Sequence, residues 1–181
     1  MSFNIKQLYT IPLEIHELKD DTLIIDTETV GTGPAIEIIE IALGDTQGRI
    51  LYESLVQPVF NRLPVPSKHI RFEKSEFKGA PVWTEIWPAV SSLIDRRLLV
   101  AYNAAFDRRA IAATCSRYQQ TSSEKGWRCA MQLIKSIVNA RRALTLEEAC
   151  ARYGLPGGNH RAGRDVQATA ELLRAISAAA S

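Results

Sequence analysis

Three β-forming runs in close succession, followed by alternating strand and helix signals, constrain this chain more than any other feature. Leu23-Ile24-Ile25 ends in Asp26, while Ala35 to Leu43 and Arg49 to Val56 are rich in β-formers and separated by Gly44-Asp45-Thr46-Gln47-Gly48. They read as three strands, two of them in a hairpin. The Pro-rich stretch Pro58 to Pro66 breaks the pattern, and Val82 to Arg97 then places Ile86, Val90, Leu93 and Ile94 at helical spacing. Pro81 sits just before that helix, where its missing N–H costs little, and Pro88 is expected to bend it. Leu98 to Tyr102 is again a strand and Ala104 to Tyr118 a helix. Trp127 to Cys129 reads as a brief fifth strand, with helices over Met131 to Val138, Leu146 to Tyr153 and Asp165 to Ala178; Gly154 and Pro156 stop the middle one. Three leading antiparallel strands followed by alternation predict an α/β fold, a mixed sheet covered by helices.

At 181 residues one domain is expected, with residues 1–21 an extension of no readable role and 22–181 the domain proper. The 46% apolar and 23% charged residues exclude a disordered or collagenous chain. Cys115, Cys129 and Cys150 are odd in number and widely spaced, which suggests neither a disulfide framework nor a zinc finger. No leader-like apolar core opens the chain and no run of about 18 apolar residues occurs, so a cytoplasmic location is expected. The net charge of +2 conceals an asymmetry: residues 1–95 carry −6 and residues 96–181 carry +8, with 12 of the 14 cations in the second part being Arg. The planar guanidinium fork matches phosphate oxygens, so either a nucleic-acid partner or simply Arg-rich helix surfaces would account for it.

Three short constellations carry chemistry. In Asp26-Thr27-Glu28 the two carboxylates share a face of the first strand, because side chains at i and i+2 point the same way. Crowded carboxylates need neutralising, and Mg²⁺ or Mn²⁺ prefer oxygen ligands; about half an occurrence of such a spacing is nevertheless expected by chance, and a solvated strand end would also suffice. Asn103-Ala104-Ala105-Phe106-Asp107 follows a strand and opens a helix, where sheet proteins commonly place ligands, although Asn103 and Asp107 would also serve as helix caps. His160 precedes Asp165 by five residues after the flexible Gly157-Gly158, a spacing expected by chance in about one chain in ten. A His beside a helical carboxylate can act as a base near neutral pH; a surface His in a polar loop is the plain alternative.

Taken in order, DxE, NAxFD and HxxxxD resemble the three motifs of the DnaQ-like, or DEDDh, 3′-to-5′ exonucleases, with exonuclease X-like and ribonuclease T-like enzymes nearest. The resemblance extends to Ile25 to Gly31, Ile36 to Leu43, Lys78 to Pro81, Arg128 to Leu133, Val100 to Arg109 and His160 to Leu173, covering roughly residues 22–177. It implies an RNase H-like fold: a five-stranded mixed sheet, three strands antiparallel and then parallel, flanked by helices. It further implies that Asp26, Glu28, Asp107 and Asp165 bind two divalent ions, Mg²⁺ or Mn²⁺, and that His160 is the general base. Terminal phosphodiester bonds of single-stranded or frayed DNA or RNA 3′ ends would be hydrolysed, releasing nucleoside 5′-monophosphates. Thr29 would receive the terminal 3′-hydroxyl, Asn103 and Phe106 would shape the pocket, and Arg161 and Arg164 would contact backbone phosphates.

The sequence departs from the family's pattern in three places. Thr32-Gly33-Pro34 stands where a bulky apolar residue often wedges against the terminal base. His69-Ile70-Arg71-Phe72 only loosely echoes the HGIT-like segment, which makes His69 structural. Tyr102 occupies a position often held by His, but not one that binds metal. A module that keeps the fold and binds nucleic acid without cutting it is the competing reading, and the intact Asp26, Glu28, Asp107, His160 and Asp165 argue against it.

Overall fold

The computed structural model describes residues 11–60, 63 and 72–180. Its sheet contains β1 (Ile11–Pro12), β2 (Leu23–Val30), β3 (Glu37–Asp45), β4 (Ile50–Leu55), β5 (Leu98–Ala101) and β6 (Gly126–Cys129), in the spatial order β1-β6-β5-β2-β3-β4. The pairs β2–β3 and β3–β4 are antiparallel, whereas β2–β5 and β5–β6 are parallel. This is the mixed five-stranded RNase H-like arrangement expected from the sequence, extended by the two-residue β1, which pairs in parallel with β6. The helices are α1 (Trp83–Ile94), α2 (Ala104–Arg117), α3 (Ala130–Ile137), α4 (Leu146–Arg152) and α5 (Ala162–Ala180).

Strand β2 starts as an unbroken apolar run because both faces of the sheet are covered. Leu23 and Ile25 join Ile41 and Leu43 of β3 and Trp83, Ile86, Val90 and Ile94 of α1 in one core. Ile24 points the other way, into a second core with Ala42, Val100 and the α5 residues Val166, Ala170 and Leu173. A Cβ on Gly44 would approach Val166 Cγ1 to 2.7 Å, so glycine lets α5 settle directly on β3.

Among the boundaries that differ from the sequence reading, two bear on the site. Residues 33–35 form a 3₁₀ turn ahead of β3, so that strand begins at Glu37 and runs on to Asp45. Helix α5 begins three residues earlier than its apolar period suggests, at Ala162, whose N–H is accepted by the buried Glu40 carboxylate at 2.7 Å. Pro88 lies within α1 without ending it. Residues assigned no role in the sequence also gain one: Leu13 enters the second core, and Glu17 pairs with Arg128 of β6 at 2.6 Å. His69, Ile70, Arg71 and most of Pro58 to Pro66 lie outside the described residues.

Candidate active site

Because β2 alternates, Asp26 and Glu28 share the face of Ile24, the side on which α5 packs. A register irregularity between Glu28 and Thr29 re-aims the strand at this point, and Glu28 lies opposite Glu40 of β3. The parallel partner β5 ends at the same edge of the sheet, where Asn103 leads into α2 and brings in Asp107. Asp107 Oδ1 accepts the Thr27 amide at 2.9 Å and the Thr27 hydroxyl at 2.8 Å, so the residue between the two β2 acids anchors the acid of α2.

Asp165 arrives from the first turn of α5. Its Oδ1 accepts the Asn159 amide at 2.8 Å, and a Cβ on Gly158 would overlap its carboxylate. The sharp turn that makes this approach possible leaves His160 in the left-handed backbone region, with φ of 59°. Among the described residues, Glu28, His160 and Asp165 each offer a ligand atom, and these atoms all lie within 4.8 Å of one another. His160 Nε2 also lies 3.8 Å from Glu147 Oε1 of α4.

The acids strain against one another. Burial pushes Glu28 up to about 8, helped by the charges of Asp165, Glu40 and Asp107 and opposed by Arg161. Burial likewise pushes Asp107 up to about 7, against the pull of its two Thr27 hydrogen bonds. Asp26 is raised well above the ordinary carboxylate range, first by burial and then by Asp107, Asp165, Glu28 and Glu40. Asp165 rises through burial despite the Asn159 amide and the neighbouring His160. Hard oxygen donors that hold back protons for want of positive charge form a donor set suited to divalent cations such as Mg²⁺.

The expected substrate residues divide into two groups. Thr29 lies at the β2 irregularity, partly exposed. Asn103 is exposed, and its side chain makes no cap to α2. Phe106 is half-buried against the core of the α1 and α2 face, with the Arg109 guanidinium 5.9 Å from its ring. Arg161 and Arg164 have their forks engaged within the protein. Arg161 pairs with Glu40 and with Glu76, both at 3.0 Å, and covers the Phe72 ring at 4.7 Å. Arg164 pairs with Glu171 at 3.1 Å and donates to the Gly157 and Pro156 carbonyls. Together they brace the His160 loop from both sides. The Tyr102 hydroxyl lies 2.9 Å from both the Leu144 and Thr145 carbonyls, tying β5 to the start of α4.

Sequence reasoning missed Glu40. Its acidic neighbour Glu37 and the apolar residues between them make the segment read as an ordinary strand, and nothing local shows that position 40 meets Ala162 and Arg161, more than 120 residues away. The only available signal was an acidic residue inside an otherwise apolar strand, which is costly to bury without a partner.

The RNase T family profile, described as an exonuclease, matches residues 23–173. An uncharacterized exonuclease of Escherichia phage 186, CP81, is 40% identical over 102 residues, covering 56% of this chain and 52% of the phage protein. The PolC-type DNA polymerase III of Thermotoga maritima is 27% identical over 176 residues, which cover 88% of this chain and 12% of the polymerase. The chain therefore spans about half the length of one relative and a small part of the other. Among solved structures, the nuclease domain of 3'hExo, a DEDDh family member bound to rAMP, shares the fold with a TM-score of 0.60 at 16% identity, covering 87% of this chain and 92% of that one. Since the match runs from the first residue of β2 deep into α5, this chain belongs to the RNase T exonuclease family, nucleic-acid hydrolases of the DnaQ-like kind.

Proposed function

We propose that the protein is a 3′-to-5′ exonuclease that removes nucleoside 5′-monophosphates from single-stranded or frayed ends of DNA or RNA. The observation that carries this reading is the gathering of acids from β2, α2 and α5 at one sheet edge, with His160 among them. Asp26, Glu28, Asp107 and Asp165 would hold two divalent ions, Mg²⁺ or Mn²⁺. Such ions supply Lewis-acid chemistry: they make water a better nucleophile at neutral pH and offset charge on the phosphate.

The remaining work falls to the chain's own groups. An imidazole nitrogen of His160 takes the proton of the attacking water. The water oxygen bonds to the terminal phosphorus as the bond to the upstream 3′ oxygen breaks, and that oxygen takes a proton to become the new 3′-hydroxyl. Thr29 and Asn103 line the place for the terminal sugar, with Phe106 beside its base. The Thr27 bonds keep Asp107 in place, and the Asn159 amide does the same for Asp165. Three free, buried cysteines fit a reducing cytoplasm, and no helix among the described residues is long and apolar enough to cross a membrane.

The test is a 5′-labelled single-stranded oligonucleotide incubated with Mg²⁺, with Mn²⁺ or with EDTA. A ladder shortening one nucleotide at a time from the 3′ end, and absent in EDTA, is the expected result. Binding without shortening in any of the three would overturn the reading in favour of a non-cutting module. Matched RNA and DNA oligomers in the same assay identify the preferred sugar.

A further inference from the structure

Phe60 is 66% exposed, and its neighbour Val59 is 54% exposed, yet the backbone beneath them is held firmly. The buried Glu37 carboxylate of β3 accepts the Val59 amide at 3.0 Å and the Phe60 amide at 3.1 Å. The Arg117 guanidinium, at the end of α2, lies 5.2 Å from the Phe60 ring centroid, and the Tyr118 ring lies 6.4 Å away. Arg117 is itself fixed, donating to the Ile36 carbonyl at 3.0 Å and the Pro34 carbonyl at 2.9 Å. A large apolar ring is thus held in water by a buried acid and backed by a cation. Water contact on so much of the ring is unfavourable, and core packing does not explain it.

Its relation to α2 indicates what would cover it. At 3.6 residues per turn, positions 106, 109, 113 and 117 fall within an arc of roughly 80°, forming one stripe of the helix. The stripe starts with the Phe106–Arg109 pair beside Asp107 and ends with the Phe60–Arg117 pair, so an aromatic ring and an arginine meet at both ends. Apart from Asp107, no acidic residue interrupts α2, which also carries Arg108. Eleven residues of helix separate Phe106 from Arg117, roughly 16 Å at 1.5 Å per residue. At the 3.4 Å spacing of stacked bases this is at most about five nucleotides, and fewer for a stretched strand. Rings for base faces, each with a guanidinium beside it, and the exposed Arg109 near backbone phosphates, are what a single strand uses for sequence-tolerant binding.

We propose that Phe60, backed by Arg117, is a second base-stacking platform, which takes a base of single-stranded nucleic acid two to five nucleotides upstream of the 3′ end. This rests on the exonuclease reading for the direction of the strand, but binding at Phe60 can be measured without catalysis.

The experiment compares the wild type with Phe60→Ala and Phe60→Trp. Binding of a fluorescein-labelled single-stranded 12-mer is followed by anisotropy in EDTA, alongside binding of a dinucleotide too short to span α2. Phe60→Ala should weaken 12-mer binding by about tenfold, as loss of one stacking contact does, leave the dinucleotide unchanged, and be rescued by Phe60→Trp. With Mg²⁺, the same variant should raise KM for the 12-mer and leave kcat within twofold. Equal 12-mer affinity in wild type and Phe60→Ala overturns the proposal, as does an equal loss for both ligands. If the wild type cuts neither substrate, the exonuclease reading falls while the EDTA binding comparison still decides the platform.

Discussion

Asp107 of α2 accepts two hydrogen bonds from Thr27, through the amide at 2.9 Å and the hydroxyl at 2.8 Å, so one oxygen of the α2 acid is held by the residue between the two acids of β2. Backbone and side chain of a single residue fix the helix to the strand at the point where both deliver carboxylates. Thr27→Val keeps the shape and the amide bond but removes the hydroxyl donor. Burial would then push Asp107 higher still, because a hydrogen bond that favours its charged form is lost. Calorimetric titration with Mg²⁺ or Mn²⁺ should show affinity weakened by several-fold at pH 7 and less so at pH 9, where Asp107 is ionised in either protein. Equal affinity at both pH values would contradict this role for Thr27.

Metal-free protein should lose stability as pH rises. Glu28 at about 8 and Asp107 at about 7 bind protons in the folded state over a range in which the unfolded chain, at the ordinary values of 4.5 and 3.8, has released them. The folded state therefore holds more protons, and stability falls with a slope of up to about 1.4 kcal/mol per pH unit for each group. The stabilisation is fully present below about pH 4 and lost as pH passes through about 7 to 8. Thermal melts in EDTA between pH 5 and pH 9 should show Tm falling across this window, and a divalent ion should restore most at the alkaline end. A Tm in EDTA that climbs from pH 5 to pH 9 would refute the crowding of unneutralised acids.

Asp26→Ala should reduce turnover by at least about a thousandfold, the scale expected when electrostatic stabilisation of the reaction is removed. The same substitution should leave the metal-free Tm unchanged or raised, because Asp26 is crowded by Asp107, Asp165, Glu28 and Glu40. Melting and activity are measured on one preparation. A variant that melts much earlier than wild type would show Asp26 to be a structural residue.

Arg161 neutralises Glu40 and Glu76 and covers Phe72, so Arg161→Ala leaves a buried carboxylate without its cation. The cost should be about 2–3 kcal/mol, at the low end for a broken buried pair because Arg161 is partly exposed. Glu40→Gln keeps an acceptor for the Ala162 amide and should cost less. Urea unfolding of the two variants tests the order, and a larger loss for Glu40→Gln would reverse this account.

Gly158→Ala places a methyl group against the Asp165 carboxylate. The expected result is impaired metal binding together with a slower rate, while Gly154→Ala, where a Cβ meets nothing within 4 Å but φ is 66°, should lower stability alone. Paired melts and activity assays distinguish the two, and a Gly158→Ala protein with wild-type activity would show that Asp165 can move without consequence.

The pairing of Asp26 with Glu28 on one face, the switch from strand to helix at Asn103 and the approach of Asp165 after a Gly-rich turn were all legible in the chain. Each follows from a repeat of two or 3.6 residues, or from a flexible backbone, within a few positions. Arg161 and Arg164 show the limit of such reasoning. Adjacency to His160 suggests contact with phosphates, and it says nothing of the partners they hold within the protein, Glu40, Glu76 and Glu171 and the carbonyls of the preceding loop.

Local order along the chain was enough to set the strands, the helices and the acids they present, because the repeats that place side chains on a face need no distant partner. Tertiary packing decided which acids find partners and which: Glu40 the Ala162 amide and Arg161, Glu37 the Val59 and Phe60 amides, and Asp107 the amide and hydroxyl of Thr27. It also decided that Phe60 stays in water beside Arg117. These relationships join positions 22 to 122 residues apart, or depend on burial that exists only once the sheet is covered on both faces, so no window of sequence contains them.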